Sequence, residues 1–445
     1  MTERRKRAIL LATLAGVLLG TLDGTVTSTA MPRIVAHLHG EQSLTWVVTA
    51  YLLASTVTIP VYGRLADLYG RRNPLLTGLG LFLAGSALCA TAQDMGQLIG
   101  FRVLQGIGAG ALMTVGMTLV RDLYPPHRSG GMLRMQTLMA GMMVISFLGG
   151  PLAGGVITDS WGWRWIFLVN VPVGAVAYLV LARLVPKGVP GDESGRFDVA
   201  GVLLLTLGIS LVLVGLTVAN GLPITAVGVV GLVVFVLVER KADVPVVPLR
   251  LFGSRTYSAA SLAGFLFTVG MMPVGLFIGL YFQQSLGYSA TAAGLLVLPL
   301  MAGMIIGNRL TAALALRTGR IKGVLAAGAV LLAMGAAPLA LLDNGIPLWI
   351  TLTCTALIGI GTAPSMGGIM IVAQTAVDRR DVGSATAGLS LVKQLGGTAG
   401  LAIGQGLLST QAIGWTIAVI GVACGLLALV AVLAMEDLDL MAARH

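Results

Sequence analysis

The sequence predicts an all-α integral membrane protein, and three observations carry the prediction. Apolar runs of about 20 residues recur along the whole chain, long enough at about 1.5 Å per residue to cross a hydrocarbon core of about 30 Å. Of the 445 residues, 56% are hydrophobic and only 10% charged, with a mean hydropathy of +0.92, a balance foreign to soluble domains. The runs are also unbroken and rich in Leu, Ala, Gly and Val, whereas the strands of a membrane barrel alternate over about 10 residues. Lipid offers the backbone no hydrogen bonds, so such runs must be helices.

In order, the runs give 14 spans, near 8–34, 45–62, 74–92, 97–120, 132–157, 163–182, 198–219, 222–238, 258–282, 291–312, 322–341, 347–372, 383–408 and 415–434. The first follows Arg4, Arg5, Lys6 and Arg7, as a signal peptide would, but its length and the spans behind it predict an uncleaved helix. Lys and Arg fall in alternate connections: Arg64, Arg71 and Arg72, then Arg121, Arg128 and Arg134, then Arg183, Lys187 and Arg196, then Arg240, Lys241, Arg250 and Arg255. Arg317, Arg320 and Lys322, then Arg379 and Arg380, continue the series, while 93–96, 220–222 and 342–346 carry neither. The positive-inside rule therefore places both termini in the cytoplasm of a cell whose inner (plasma) membrane holds the chain. Trp46, Trp161, Trp163, Trp165, Trp349 and Trp415 all fall beside the opposite, outer connections, where interfacial aromatic rings collect.

The same reading excludes several functions. The net charge of +10 sits in short loops and reports topology, not a nucleic-acid partner. Cys89, Cys354 and Cys424 each lie inside an apolar run and behave as small hydrophobes, so neither a disulfide nor a metal site is expected. His37, His39, His127 and His445 are scattered, which argues against a metal cluster. A phosphate-binding loop of the Gly-x-x-x-x-Gly-Lys type is missing, so no enzyme, no cofactor and no ATP-driven step is expected, and an ion gradient is the remaining source of energy.

A weak internal repeat divides the chain. The connection after the second span reads Gly63-Arg64-Leu65-Ala66-Asp67-Leu68-Tyr69-Gly70-Arg71-Arg72, and Leu314-Ala315-Leu316-Arg317-Thr318-Gly319-Arg320 after the tenth aligns with it. Two six-helix bundles, 1–182 and 258–445, are implied, with a transmembrane hairpin and its flanking loops inserted at 183–257.

Four motifs carry chemistry. In Gly63-x-Leu65-Ala66-Asp67-x-x-Gly70-Arg71-Arg72, an acid able to face a helix N-terminus is flanked by arginines and a tight glycine turn. Span four holds Arg102-Val103-Leu104-Gln105-Gly106-Ile107-Gly108-Ala109-Gly110; an arginine at that depth is costly unless it meets a polar interior, so Arg102 is expected to face a wet cavity. Span five holds Gly149-Gly150-Pro151-Leu152-Ala153-Gly154-Gly155, where glycines permit close helix approach and proline bends the helix. Span one holds Leu22-Asp23-Gly24-Thr25-Val26 and Ala30-Met31-Pro32. Asp23 is the one carboxylate placed deep in a span, and a carboxylate there can trade a proton because its charge is costly to bury. Lys393, beside Gln394, Gly396 and Gly397 in span thirteen, is the remaining deep charge, whereas Arg33 and Arg309 lie close enough to span ends to snorkel.

These motifs resemble those of the major facilitator superfamily, and within it the fourteen-span drug:proton antiporters, over nearly the whole chain. The resemblance implies proton-coupled efflux of small amphiphilic molecules by alternating access, by a monomer, with protons, substrate and the lipid bilayer as its partners. It makes Asp23 and Arg102 the proton-coupling pair. Gly63, Asp67, Gly70, Arg71 and Arg72 become a lock that docks on the segment beginning near Gly383. Gly150, Pro151, Gly154 and Gly155 become the antiporter motif that seals one conformation, and Gln105, Lys393 and Gln394 become candidates for a substrate cavity. Proton symport or facilitated import of a metabolite, and a non-transporting receptor on the same fold, are the alternatives.

Overall fold

The computed structural model describes the chain apart from residues 1–2, 41–42, 124–140, 143, 187–198, 218–220, 242–248, 319, 379–381, 409–411 and 437–445. Among the described residues, 11 helices are long and apolar enough to cross a membrane. Two compact units divide the chain, one of residues Met1–Phe197 with Gly287–Leu295, the other of Asp198–Leu286 with Leu296–His445.

In the first unit, α1 (Glu3–Leu38) runs 36 residues, well beyond one bilayer crossing, so its basic first turns extend past the hydrocarbon. There the Arg5 guanidinium donates twice to the Leu184 carbonyl, at 3.0 and 2.8 Å. α2 (Leu44–Tyr69) ends at Gly70, whose φ of 74° suits glycine and lets the chain reverse at once into α3 (Arg72–Thr91). α4 (Met95–Ala111) starts from an Asp94 cap that accepts from the Gln97 N–H at 2.8 Å. A π turn, Leu112–Gly116, then leads into helix Met117–Leu123. α5 (Gly150–Trp161) likewise continues from a π turn, Ile145–Gly149, and stops at Gly162 with φ 91°. The short helix Trp165–Leu168 precedes α6 (Asn170–Leu184). The unit packs α4 against both α2 and α3, and α1 against α5 and α6, around a core that includes Leu19, Leu79, Phe82, Leu112 and Val115.

The second unit begins with α7 (Val199–Thr217) and α8 (Leu222–Glu239). These pack on one another, and α7 also touches a later helix of the same unit, α14. α9 (Arg255–Leu280), capped by Ser254, runs into a π turn at Tyr281–Ser285. α10 (Ala290–Thr318), α11 (Ile321–Ala336), α12 (Leu348–Thr362), α13 (Pro364–Thr375), α14 (Val382–Leu408) and α15 (Ile413–Leu433) complete it. Pro364 lacks an N–H and breaks what the sequence predicts as one span into α12 and α13. α9 lies against α14 and α15, and α11 against α12 and α15. The predicted span at 132–157 lies partly outside the described residues.

Residues Gly287–Leu295, the lead into α10 and its first turns, belong to the first unit. Asp159, near the end of α5, accepts there from the N–H groups of Ala290 and Thr291 at 3.2 and 2.7 Å, and from the Thr291 hydroxyl at 2.6 Å. Those N–H groups are donors that a helix start leaves without internal partners.

Candidate functional site

The first unit gathers several buried polar side chains into one cluster drawn from five elements. α4 can approach its neighbours because it carries glycine at the contacts: a Cβ on Gly106 would stand 2.5 Å from the Tyr51 carbonyl oxygen of α2. On the other side, Gly85 of α3 meets Gln105 so closely that a Cβ would lie 2.6 Å from its backbone nitrogen. Such backbone contact brings the side chains of Arg102 and Gln105, one helical turn apart, against α1 and α3.

Arg102 is 0% exposed and Asp23 4%. Nη1 of Arg102 forms a salt bridge with Oδ2 of Asp23 and also donates to Gln105 Oε1 at 2.8 Å, while Nε donates to the Val47 carbonyl at 3.1 Å. The guanidinium carbon stands 4.1 Å from the centroid of the Tyr51 ring and 5.8 Å from that of Phe167, so aromatic faces cover part of the cation. Tyr51 is itself fixed by its hydroxyl, which donates to the Gly20 carbonyl at 2.8 Å. The other oxygen of Asp23, Oδ1, accepts from Gln105 Nε2 at 2.8 Å and from Asn170 Nδ2 at 3.3 Å. Ser86 Oγ accepts from the same two amides, at 2.7 and 3.3 Å, and the Cys89 thiol points to Gln105 Oε1 at 3.7 Å.

Two expectations are corrected. Arg102 does not face a wet cavity in this structure: it is 0% exposed, with Nη1 held by Asp23 and Gln105 and Nε by the Val47 carbonyl, while Nη2 is buried without a hydrogen-bond partner among the described residues. Gln105 does not line a substrate cavity either: it is 0% exposed, and both ends of its amide are committed inside the cluster. Ser86, Asn170 and Tyr51 complete the site without having been singled out; a lone Ser, Asn or Tyr in an apolar run is a weak signal, although each is polar at membrane depth.

The other predicted residues lie apart from this cluster. In the second unit, Lys393 Nζ donates to the Ser365 carbonyl at 2.7 Å, with its stem against Gly264, and Gln394 follows it on α14. Gly150, Gly154 and Gly155 are buried on α5; a Cβ would lie 2.8 Å from the Val26 carbonyl at Gly154 and 2.6 Å from the Thr291 Cα at Gly155. Pro151 turns its carbonyl to Gly294. α5 is thus wedged between α1 and the first turns of α10, as glycines at those positions permit. In the loop after α2, Arg71 donates to the Thr118 carbonyl at 2.9 Å and Arg72 to that of Ala182, and Gly63 leaves a Cβ's space beside Thr114. α14 begins at Val382, in the segment to which the lock was assigned, but the side chains of Asp67 and of residues 382–384 lie outside the described residues.

A profile of the Major Facilitator Superfamily matches residues 13–257 and 260–439. Multidrug transporter protein MdtP of Bacillus subtilis is 34% identical over 412 residues, covering 90% of this chain and 75% of that protein. Multidrug resistance protein 3 of the same organism is 36% identical over 309 residues, or 67% of this chain and 60% of its own length. Efflux pump dotC of Dothistroma septosporum is 31% identical over 91% of this chain and 71% of its own. This chain therefore spans six to eight tenths of the length of these relatives. The buried ion pair, the glycine-lined helix contacts and the profile match agree, and the chain belongs to the Major Facilitator Superfamily as a multi-pass membrane transporter.

Proposed function

We propose that this chain is a proton-coupled exporter of amphiphilic small molecules, built as a fourteen-span drug:proton antiporter with both termini in the cytoplasm. The observation that carries the reading is the Asp23–Arg102 pair, an acid at membrane depth whose charge is met by one buried arginine. An intramembrane acid is retained for a purpose, since its burial is costly. Proton uptake neutralises Asp23, weakens the hold of Arg102 on α1, and so links protonation to the packing of α1 against α4. The names of the relatives, multidrug transporter and efflux pump, support outward transport of such compounds.

Under this reading the halves 1–182 and 258–434 alternate between inward- and outward-open states. α5 with Gly154 and Gly155 seals the closed path, and the loop of Asp67 and Arg71 stabilises the outward-facing state. Lys393 and Gln394 remain the candidates for contact with substrate.

The test uses a host stripped of its own pumps and a panel of chemically varied antimicrobials. The unmodified chain confers resistance to amphiphilic members, and Asp23→Asn, present in the membrane at the same level, confers none. Resistance that survives Asp23→Asn undiminished rules out Asp23 as the coupling group, and a panel without any response rules out export.

A further inference from the structure

As the cluster stands, Asp23 accepts from three donors: Arg102 Nη1 on Oδ2, with Gln105 Nε2 and Asn170 Nδ2 on Oδ1. Every one of these contacts suits a charged carboxylate, which can only accept. A proton on Asp23 reverses the requirement, because the new O–H must donate and a neighbour must accept it.

The neighbours are not equally able to do so. Arg102 has no acceptor atom. Gln105 has one, but its Oε1 already receives Arg102 Nη1 at 2.8 Å and the Cys89 thiol at 3.7 Å, and turning that amide would set an NH2 group against the guanidinium. Ser86 Oγ bonds to the two amides, at 2.7 and 3.3 Å, and not to Asp23. Asn170 differs from all of them. Its two contacts, both 3.3 Å, are the longest nitrogen-to-oxygen bonds in the cluster, and among the described residues no donor is bound to its Oδ1. A half-turn about χ2 exchanges Nδ2 for Oδ1 with almost no change of shape.

We propose that Asn170 is a positioning residue for the protonated state of Asp23: its amide turns over as the proton binds, and its carbonyl accepts the new O–H. The bond formed is Oδ1–H of Asp23, with a proton taken from water on one side of the membrane and returned to water on the other. No other covalent bond changes. The Ser86 hydroxyl, which accepts from Asn170 before the turn, rotates to donate to its carbonyl afterwards, so Asp23, Asn170 and Ser86 stay linked in both states. Gln105 keeps its orientation throughout and holds Arg102 while Asp23 lets go.

Among the described side chains packed around α1, the titratable or charged groups that face Asp23 are Tyr51 from α2, Cys89 from α3 and Arg102 from α4. Arg33 and Asp159, 3.9 Å apart, lie toward the outer end, with Arg33 about 15 Å along α1 from Asp23. Asn170 carries no charge of its own, so a change in proton binding on its replacement reports the hydrogen bond and not a lost field.

The inference rests on Asp23 being the proton carrier, and the experiment separates the two. Infrared difference spectra of the full chain in lipid are recorded against pH, and the Asp23 carboxyl band is identified by its loss in Asp23→Asn. Asn170→Leu, similar in shape but without the amide, removes both the long 3.3 Å bond to the carboxylate and the closer bond to the protonated acid. Because the second outweighs the first, the midpoint of that band moves down by up to about one pH unit, a tenfold loss in proton affinity. In Asn170→Ser, whose hydroxyl can still donate or accept, it moves by less than half as much. A midpoint unmoved in Asn170→Leu, or moved equally in both variants, overturns the inference while leaving Asp23 as carrier. A spectrum of the unmodified chain with no band that Asp23→Asn removes overturns the carrier reading and the inference together.

Discussion

Arg102 holds together atoms that are far apart in the chain: Asp23 lies 79 residues before it and the Val47 carbonyl 55 before it. Breaking a buried pair from one side costs about 3–5 kcal/mol, because the survivor stays buried and unpaired. Arg102→Ala is therefore expected to lower the thermal unfolding midpoint of the detergent-solubilised protein more than Asp23→Asn does, since the asparagine carbonyl can still accept from Arg102, whereas alanine leaves Asp23, Gln105 and the Val47 carbonyl without their donor. Adding Asp23→Asn to Arg102→Ala should recover part of the loss; a double variant less stable than both singles would show that the pair is not the source of the effect. Asp23, Arg102 and Gln105 were legible as single residues because each is polar in an apolar run. The pairing of Asp23 with Arg102 was expected, but the bonds that Gln105 makes to both and the full burial of Arg102 were not. Asn170 and Ser86 were illegible for a further reason: Asn170 sits 147 residues from Asp23, and only folding shows that the two meet.

Helix positions, by contrast, could be read from apolar run lengths, and the observed helices follow the predicted spans closely wherever residues are described. Interruptions within them were less visible. The π turns at Leu112–Gly116 and Tyr281–Ser285 leave no signal in an apolar run, whereas Pro364 could have marked the break between α12 and α13. Glycine shows the same limit. Gly106 and Gly108 of α4 are both needed, yet one lies against Tyr51 of α2 and the other against Phe82 of α3, a division that spacing alone does not make. Gly106→Val would drive side-chain atoms into the Tyr51 carbonyl, with the Ala54 Cβ only 2.9 Å from the first added carbon. Overpacking of this kind costs about 1–3 kcal/mol, and α4 would move off α2 with Arg102 on it. A lower unfolding midpoint and reduced transport at equal expression are expected. Gly100→Ala on the same helix is the control, because nothing lies within 4 Å of a Cβ there, and equal losses in the two variants would assign the damage to helix chemistry and not to the contact.

At the scale of the whole molecule, the chain divides into two compact units. The assignment of Gly287–Leu295 to the first unit was not visible, because it depends on Asp159 and Gly155 meeting the start of α10. The distribution of charge between the halves bears on the cargo. Between 258 and 434 the only acids of the sequence are Asp343, Asp378 and Asp381, none of them inside a predicted span. In the first unit the charge of Asp23 is already opposed by Arg102, and between 258 and 434 the deep charge is the cation Lys393, the buried Glu239 lying before that stretch, at the end of α8. The first unit thus offers a doubly positive substrate one compensated acid, and the stretch 258–434 a lysine, and a charge left unpaired in a dry site is penalised by several kcal/mol. Neutral, zwitterionic or monocationic amphiphiles fit better, with apolar contact supplying most of the affinity. The measurement compares export of mono- and bis-quaternary ammonium compounds of matched hydrophobicity in the same vesicles. The monovalent compound should be exported at least tenfold better, about 1.4 kcal/mol in favour of its passage. Equal or better export of the divalent compound would mean that the cargo draws on acids other than Asp23, and the charge argument would fail with it.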